Sequence, residues 1–290
     1  MVYLWLVSFM WAFSFGLIKG NLAGVDSNFV AFARLGIPLL IFLPFLRLRA
    51  VQPAQSVRLV AIGAIQFGIM YLTYIAAFRY LQAYEVALLT ILTPFYVAVY
   101  DDLRSRHWRW QNLFTACLAI LGTAIVQYTH APQIGALTGF LLVQVSNLAF
   151  AIGQVEYRRE MRQTPDIPDQ AIFGWLYLGG TLTAGVASLW LTPWGTLSLT
   201  MQQVLTLIYL GAIASGLGFF LWNSGARQVN TGALAIFNNL KIPLAVVVSL
   251  VFFGEQANPV ALLIGGSIVL LALWLNEHSI RRQRPGEMGI

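Results

Sequence analysis

The chain is 290 residues long, 58% hydrophobic and only 10% charged, with a mean hydropathy of +0.72. An ordinary soluble domain carries about 25% charged residues, so this chain has too little polar surface to stay dispersed in water as a globule. Soluble enzymes, disordered chains and disulfide scaffolds are excluded, the last because Cys117 is the single cysteine.

Apolar runs lie near 2–18, 28–46, 59–78, 86–100, 111–127, 137–156, 171–190, 204–222, 233–252 and 259–276, separated by short polar stretches. Crossing a bilayer as a helix takes about 20 apolar residues. The runs therefore predict an all-α integral membrane protein with ten transmembrane helices. The longest linker, 157–170, carries Pro165 and Pro168 and is too short for a soluble domain. The first run is too long for a signal peptide and lacks a cleavage-type site, so no N-terminal targeting extension is expected. Cys117 sits inside a run and reads as a buried thiol.

Orientation follows from the basic residues. With ten spans and both termini on one side, that side holds thirteen of them: Arg47, Arg49, Arg58, Arg104, Arg106, Arg109, Arg158, Arg159, Arg162, Arg227, Arg281, Arg282 and Arg284. The other side holds Lys19 and Arg79, while Arg34 and Lys241 fall within spans. Both termini are therefore expected to be cytoplasmic. The net charge of +6 serves as an insertion signal and an anionic-lipid contact rather than a nucleic-acid site.

The chain also repeats itself. Leu81-Gln82-Ala83 is followed by eleven residues to Pro94, and Asn230-Thr231-Gly232 by eleven to Pro243. The same offset of 149 relates Trp110 to Pro259, where the last apolar run of each half begins. An odd number of spans per half inverts the second half in the membrane. The expected organisation is thus two inverted five-helix repeats, 1–130 and 131–278, with a cytoplasmic tail, 279–290. Transporters of this architecture place substrate between the halves near the midplane.

With these features in place, the sequence resembles the drug/metabolite transporter superfamily, in particular its EamA-type ten-helix members. The resemblance rests on Trp11-Ala12 followed by Lys19, on Arg34 in the second span, on the two small-residue loops leading to Pro94 and Pro243, and on Phe253-Gly254-Glu255. It covers essentially the whole chain. One departure is Ser105-Arg106 at the first-half counterpart of Gly254-Glu255; Asp101 or Asp102 would have to satisfy that loop instead. The resemblance implies a bacterial inner-membrane exporter of amino acids or related metabolites. It also implies a central cavity lined by spans 1–4 and 6–9.

Ionisable and polar residues within spans are functional candidates, because burying them in lipid is costly. Lys241 lies about 12 Å into span nine, with Asn238 three residues earlier on the same face. It reads either as a cation for a substrate carboxylate or as a lysine bonded to carbonyls freed by Pro243. Arg34, six residues into span two, reads as a carboxylate donor, as a snorkelling side chain, or as the partner of Asp26 or Glu85. Gln144, Asn147, Ala151 and Gln154 fall on one face of span six. Ser8, Trp11, Phe15 and Lys19 form a similar stripe in span one, as do Gln66, Met70 and Tyr74 in span three and Thr93, Tyr96 and Tyr100 in span four. The alternative for each stripe is packing or bonding between helices. Trp190, Trp194 and Trp274 read as interfacial anchors. The matched kinks at Pro94 and Pro243 suit hinges for alternating access, although passive kinks fit equally. Glu85, beside Arg79, is the carboxylate placed to titrate during transport, with a surface ion pair as its alternative.

The expected function is a secondary transporter exporting small zwitterionic or carboxylate metabolites, most of all amino acids. Lys241 and Arg34 would compensate the carboxylate, and Trp11, Tyr74 and Tyr96 would meet the side chain. An exporter of amines or drug-like cations, and a metabolite importer or exchanger, are the alternatives. A membrane enzyme would need a carboxylate, histidine or metal cluster, and none converges. No cofactor or metal is expected. The partners are a small-molecule substrate, membrane lipid and protons as coupling ion, with the chain a monomer or homodimer.

Overall fold

In lipid a chain must satisfy its backbone polar groups internally, and long apolar runs do so by coiling into helices. The computed structural model describes residues 2–49, 51–106, 135–163, 167–228, 242, 244–254, 260, 263–264, 267–268, 271 and 274–275. Among these residues there is no strand. Seven long helices follow one another: α1 (Val2–Asn21), α2 (Ser27–Phe45), α3 (Pro53–Ala77), α4 (Ala83–Ser105), α5 (Ala136–Gln163), α6 (Phe173–Leu191) and α7 (Met201–Gly225). All but α6 have the length and hydropathy of a membrane span, which makes six such helices among the described residues. Residues 244–252 are helical as well. The expected fifth span, with Cys117, lies outside the described residues, as do Asn238, Lys241 and Pro243.

The helix ends are set by local chemistry. Asp26 caps α2, accepting the backbone N–H groups of Asn28 and Phe29. Pro53 begins α3, where a missing N–H leaves nothing unsatisfied. The Glu85 carboxylate accepts the Gln82 N–H at 2.7 Å and caps α4. Arg106 ends α4 in the left-handed region, with φ of 57°.

Packing depends on glycine at the α3–α6 crossing. A Cβ on Gly63 would stand 1.9 Å from the Leu176 carbonyl oxygen, and one on Gly179 would stand 1.9 Å from that of Val60. Backbone therefore lies on backbone, the close approach that small residues permit between membrane helices. Around this crossing Phe42, Phe67, Phe173, Tyr177 and Phe220 form a continuous aromatic cluster, with Phe67 and Tyr177 stacked at 5.0 Å.

Irregularities in three of the helices bear on the site. Residues Ala64–Ile69 of α3 and Tyr209–Leu217 of α7 are π-helical. Residues Thr90–Leu92 of α4 form a 3₁₀ turn immediately before Thr93 and Pro94. Pro94 has no N–H to give the Thr90 carbonyl, and the Thr93 hydroxyl takes that carbonyl at 2.7 Å instead. In α7 the carbonyls loosened by the π-helix find side chains. The Trp11 indole donates to Ala214 at 2.9 Å, and the Tyr177 hydroxyl to Ser215 at 2.7 Å.

Candidate substrate site

Arg34 lies on the inner face of α2 and is 3% exposed. Its Nη2 donates to the Tyr71 hydroxyl and to Ser215 Oγ, each at 3.2 Å. The Ser215 hydroxyl donates onward to the Leu210 carbonyl at 2.7 Å, which leaves Tyr71 to donate to Ser215 across 2.7 Å. The guanidinium carbon rests 4.6 Å above the Tyr71 ring. Every one of these partners is neutral. Nε and Nη1 of Arg34 are buried without any hydrogen-bond partner. Arg34 has therefore neither snorkelled to the surface nor paired with Asp26 or Glu85. Asp26 forms a salt bridge with Arg79 at 3.2 Å, and Glu85 caps α4.

Arg34 is among the residues that line a cavity with about 570 Å³ of space unfilled by atoms, its mouth included. Trp11, Ser14 and Phe15 of α1 form one part of the wall, with Met70, Tyr71 and Tyr74 of α3 beside them. Thr90 and Thr93 of α4, Ser146, Asn147 and Phe150 of α5, and Phe219 of α7 complete it. The wall combines one cation, a set of hydroxyls and an amide, and a large aromatic surface. No Asp or Glu is among these residues.

Asn147 is the centre of the amide and hydroxyl set. Its Nδ2 donates to the Leu89 carbonyl at 2.9 Å and to Gln144 Oε1 at 3.3 Å. Its Oδ1 lies 3.1 Å from the Thr93 hydroxyl, whose one proton is shared with the Thr90 carbonyl. Tyr96 joins through a 3.3 Å bond to Gln144.

A second, larger space of about 1310 Å³ opens where α1 ends and α2 begins, lined by Lys19, Asp26, Arg79, Pro193 and Ser198 among others. Phe15, Tyr74 and Phe78 stand between the two spaces in edge-to-face contacts of 5.9 and 5.1 Å. At the other end of the helices, Arg58 of α3 grips Glu160 of α5 with bonds of 3.0 and 2.8 Å. Arg104 and Tyr100 of α4 bond Glu156, one turn earlier on α5, at 2.8 and 2.9 Å.

Of the residues singled out in the sequence, Arg34, Trp11, Tyr74 and Asn147 come together on the cavity wall. Gln144 and Tyr96 stand behind Asn147. Gln154 is buried on α5 away from the wall, with its Oε1 unpaired. Lys19 donates to the Phe78 and Leu81 carbonyls, closing the end of α3. Lys241, Asn238 and Pro243 lie outside the described residues. Tyr71 and Ser215 were not anticipated. Tyr71 precedes Tyr74 by three residues on the regular helix Met70–Ala77, so it shares the cavity face, but a stripe read at four-residue spacing passes over it.

A helical membrane protein with a buried cationic cavity between its spans has the build of a transporter rather than an enzyme. The chain belongs to the EamA-like transporter family, whose model matches residues 1–128 and 137–277. It is a multi-pass protein of the bacterial inner membrane. It is 40% identical to a biotin transporter of Salmonella typhimurium over 96% of this chain and 93% of that one. It is 39% identical to a probable biotin transporter of Pseudomonas aeruginosa over 98% of this chain and 100% of that one. A probable amino-acid metabolite efflux pump of Salmonella typhimurium is 23% identical over 61% of each chain. A solved crystal structure 16% identical in sequence superposes with a TM-score of 0.65, covering 95% of this chain and 98% of its own, a likeness of fold.

These relatives overturn the expectation of amino-acid export. The near-full-length relatives are named for biotin, and the amino-acid relative is more distant and partial. A cation in the membrane signals a carboxylate, and biotin and amino acids both have one, so the charge of Arg34 alone does not separate the two.

Proposed function

We propose that the chain is a secondary transporter that carries biotin, or a carboxylate of the same build, by alternating access. The observation that carries this reading is Arg34: a buried guanidinium beside a cavity, with two nitrogens unpaired and no acid on the wall. An unpaired buried charge is expensive in a membrane protein, and a carboxylate is the acceptor that a guanidinium binds through charge-assisted hydrogen bonds. Biotin presents a carboxylate, a flexible aliphatic chain, a thioether ring and a cyclic urea. The aromatic wall of Trp11, Phe15, Tyr74, Phe150 and Phe219 suits the chain and the sulfur.

The same reading keeps ten helices in two inverted halves, with both termini cytoplasmic. Two features support it. The spans α3 and α7 are both 25 residues long, begin 148 positions apart and both carry a π-helical segment. The family model also matches in two blocks of similar length. In this reading Lys241 and Asn238 add a second cation and amide from span nine, and Pro94 and Pro243 are the hinges. Protons are the coupling ion and Glu85 the coupling carboxylate. Protonating Glu85 would release the Gln82 N–H at the start of α4, the helix that carries Pro94.

Counterflow in proteoliposomes tests the function. Vesicles preloaded with unlabelled biotin are expected to accumulate labelled biotin faster than empty vesicles, while preloading with leucine or threonine has no effect. Equal acceleration by amino acids, or none by biotin, would overturn the reading.

A further inference from the structure

Two buried glutamines of α3 and α5 have no role in the site just described. Gln66, in the π-helical segment of α3, is 0% exposed, and neither its Oε1 nor its Nε2 has a hydrogen-bond partner. Gln154 of α5 is 2% exposed, and its Oε1 is also unpaired. Burying amide groups without partners is costly, and leucine would occupy similar space without that cost.

The two glutamines are placed together. Ser146 bonds the Met70 carbonyl, Gly153 abuts Gln66, and Glu160 grips Arg58. These three contacts show α5 running antiparallel along α3. A Cβ on Gly153 would lie 2.1 Å from the Gln66 Cβ, so Gln66 packs against α5 at the residue next to Gln154. Met70 and Phe150 both line the cavity. Gln66 precedes Met70 by four residues and Gln154 follows Phe150 by four. Both amides therefore lie one turn beyond the cavity, toward the end tied by Arg58 and Glu160. Phe150 and Phe219, with ring centroids 6.0 Å apart, stand at that edge of the cavity.

We propose that Gln66 and Gln154 form a second substrate station, reached when the Phe150–Phe219 contact opens, for the neutral hydrogen-bonding head of the substrate, an amide or cyclic urea. This rests on the carboxylate-transport reading and deepens it by assigning the other end of the molecule. A primary amide has a carbonyl acceptor and two N–H donors. It complements a cyclic urea, whose carbonyl accepts from Nε2 and whose N–H donates to Oε1. The carboxylate is held on the near side of the Phe150–Phe219 contact by Arg34, and the head is received on the far side. The unpaired amides mark a site whose partner arrives in another state of the transport cycle.

The test uses the full chain in proteoliposomes with Gln66→Leu and Gln154→Leu. Three quantities are read: melting temperature, the rise in melting temperature caused by biotin, and counterflow of biotin against 5-(2-thienyl)pentanoate, a similar carboxylate without a urea. Both variants are expected to melt at or above wild type, to keep the biotin-induced rise, and to lose at least tenfold in biotin counterflow. Their preference for biotin over the thienyl acid should disappear. Wild-type counterflow in either variant overturns the proposal, as does a melting temperature several degrees lower, which would mean that the amides serve the fold. Should Gln66→Leu not fold, Gln66→Met, of closer shape, is judged by the same criteria. If wild-type protein neither binds nor exchanges biotin, the carboxylate reading itself fails and this proposal with it.

Discussion

Arg34 and Ser215 are 181 positions apart in the chain and are joined by a hydrogen bond of 3.2 Å. The bond crosses from α2 to the π-helical segment of α7, so the cation of the cavity is held by the least regular part of the helix facing it. A π-helical stretch repeats i→i+5 bonds in place of i→i+4 and is often found at functional sites. Here it lets the Ser215 hydroxyl spend its proton on the Leu210 carbonyl, five residues back, while its oxygen faces Arg34. Any movement of α7 that re-forms a regular helix would change the orientation of Arg34.

Replacing Arg34 should act on binding before it acts on folding. Hydrogen bonds to charged groups contribute about 1.5–3 kcal/mol each, so Arg34→Gln is expected to weaken biotin binding by about 30-fold or more. Arg34→Lys keeps the charge but not the planar fork, and should fall between the two. The biotin-induced rise in melting temperature measures both. The variant itself should melt no lower than wild type, since it removes a buried charge that lacks an acidic partner.

The α3–α6 crossing should not accept a methyl group. At Gly63 and Gly179 the added Cβ would meet a carbonyl oxygen of the other helix at 1.9 Å, and backbone cannot swing away as a side chain does. Gly63→Ala and Gly179→Ala are each expected to cost at least about 1–3 kcal/mol, the range for overpacked cores. Gly36→Ala is the control, because nothing lies within 4 Å of its Cβ position. It should be neutral or mildly stabilising, since alanine is the better helix former. Melting temperatures in detergent compare the three.

The helices and part of the site are legible in the residues themselves. Apolar length identifies the six span-like helices among the described residues, because bilayer thickness dictates it. Arg34 and Asn147 stand out because polar groups inside spans are rare, and both line the cavity. What could not be read there depends on helix register. Regular spacing put Gln66 on the same face as Met70 and Tyr74, yet the π segment that contains Gln66 leaves it off the wall. No local pattern links Ser215 to Arg34, since the contact is made between distant spans. The substrate was misread for a different reason: a cation reports the carboxylate and says nothing of the other end of the molecule.

The ion pairs on α5 should be coupled to the helices they tie. Glu160 is buried but Arg58 is half exposed, so water weakens the attraction between them. Arg58→Gln and Glu160→Gln should each lower the melting temperature slightly, and the double variant by less than their sum. Fully additive losses in that double-mutant cycle would show that the pair contributes no coupling between α3 and α5.

Asp26 provides a pH signature at the opposite end. Burial raises its carboxyl, but the Thr192 hydroxyl, the Phe29 N–H, the Arg79 charge and the Asn28 N–H together outweigh that and hold it below the ordinary carboxylate value. The unfolded chain therefore takes up this proton at higher pH than the folded one. Stability from Asp26 is complete above the unfolded value near 4, and is lost as pH falls from there through the lowered folded value. Melting temperature should hence hold between about pH 7 and 5 on this account and decline below about pH 4. Asp26→Asn should melt lower than wild type at neutral pH, because an amide loses the Arg79 pair and caps α2 without charge. The gap between the two proteins should narrow as the pH drops. A gap that stays constant down to about pH 3 would mean that the Asp26 carboxylate is not held in its charged form by these partners.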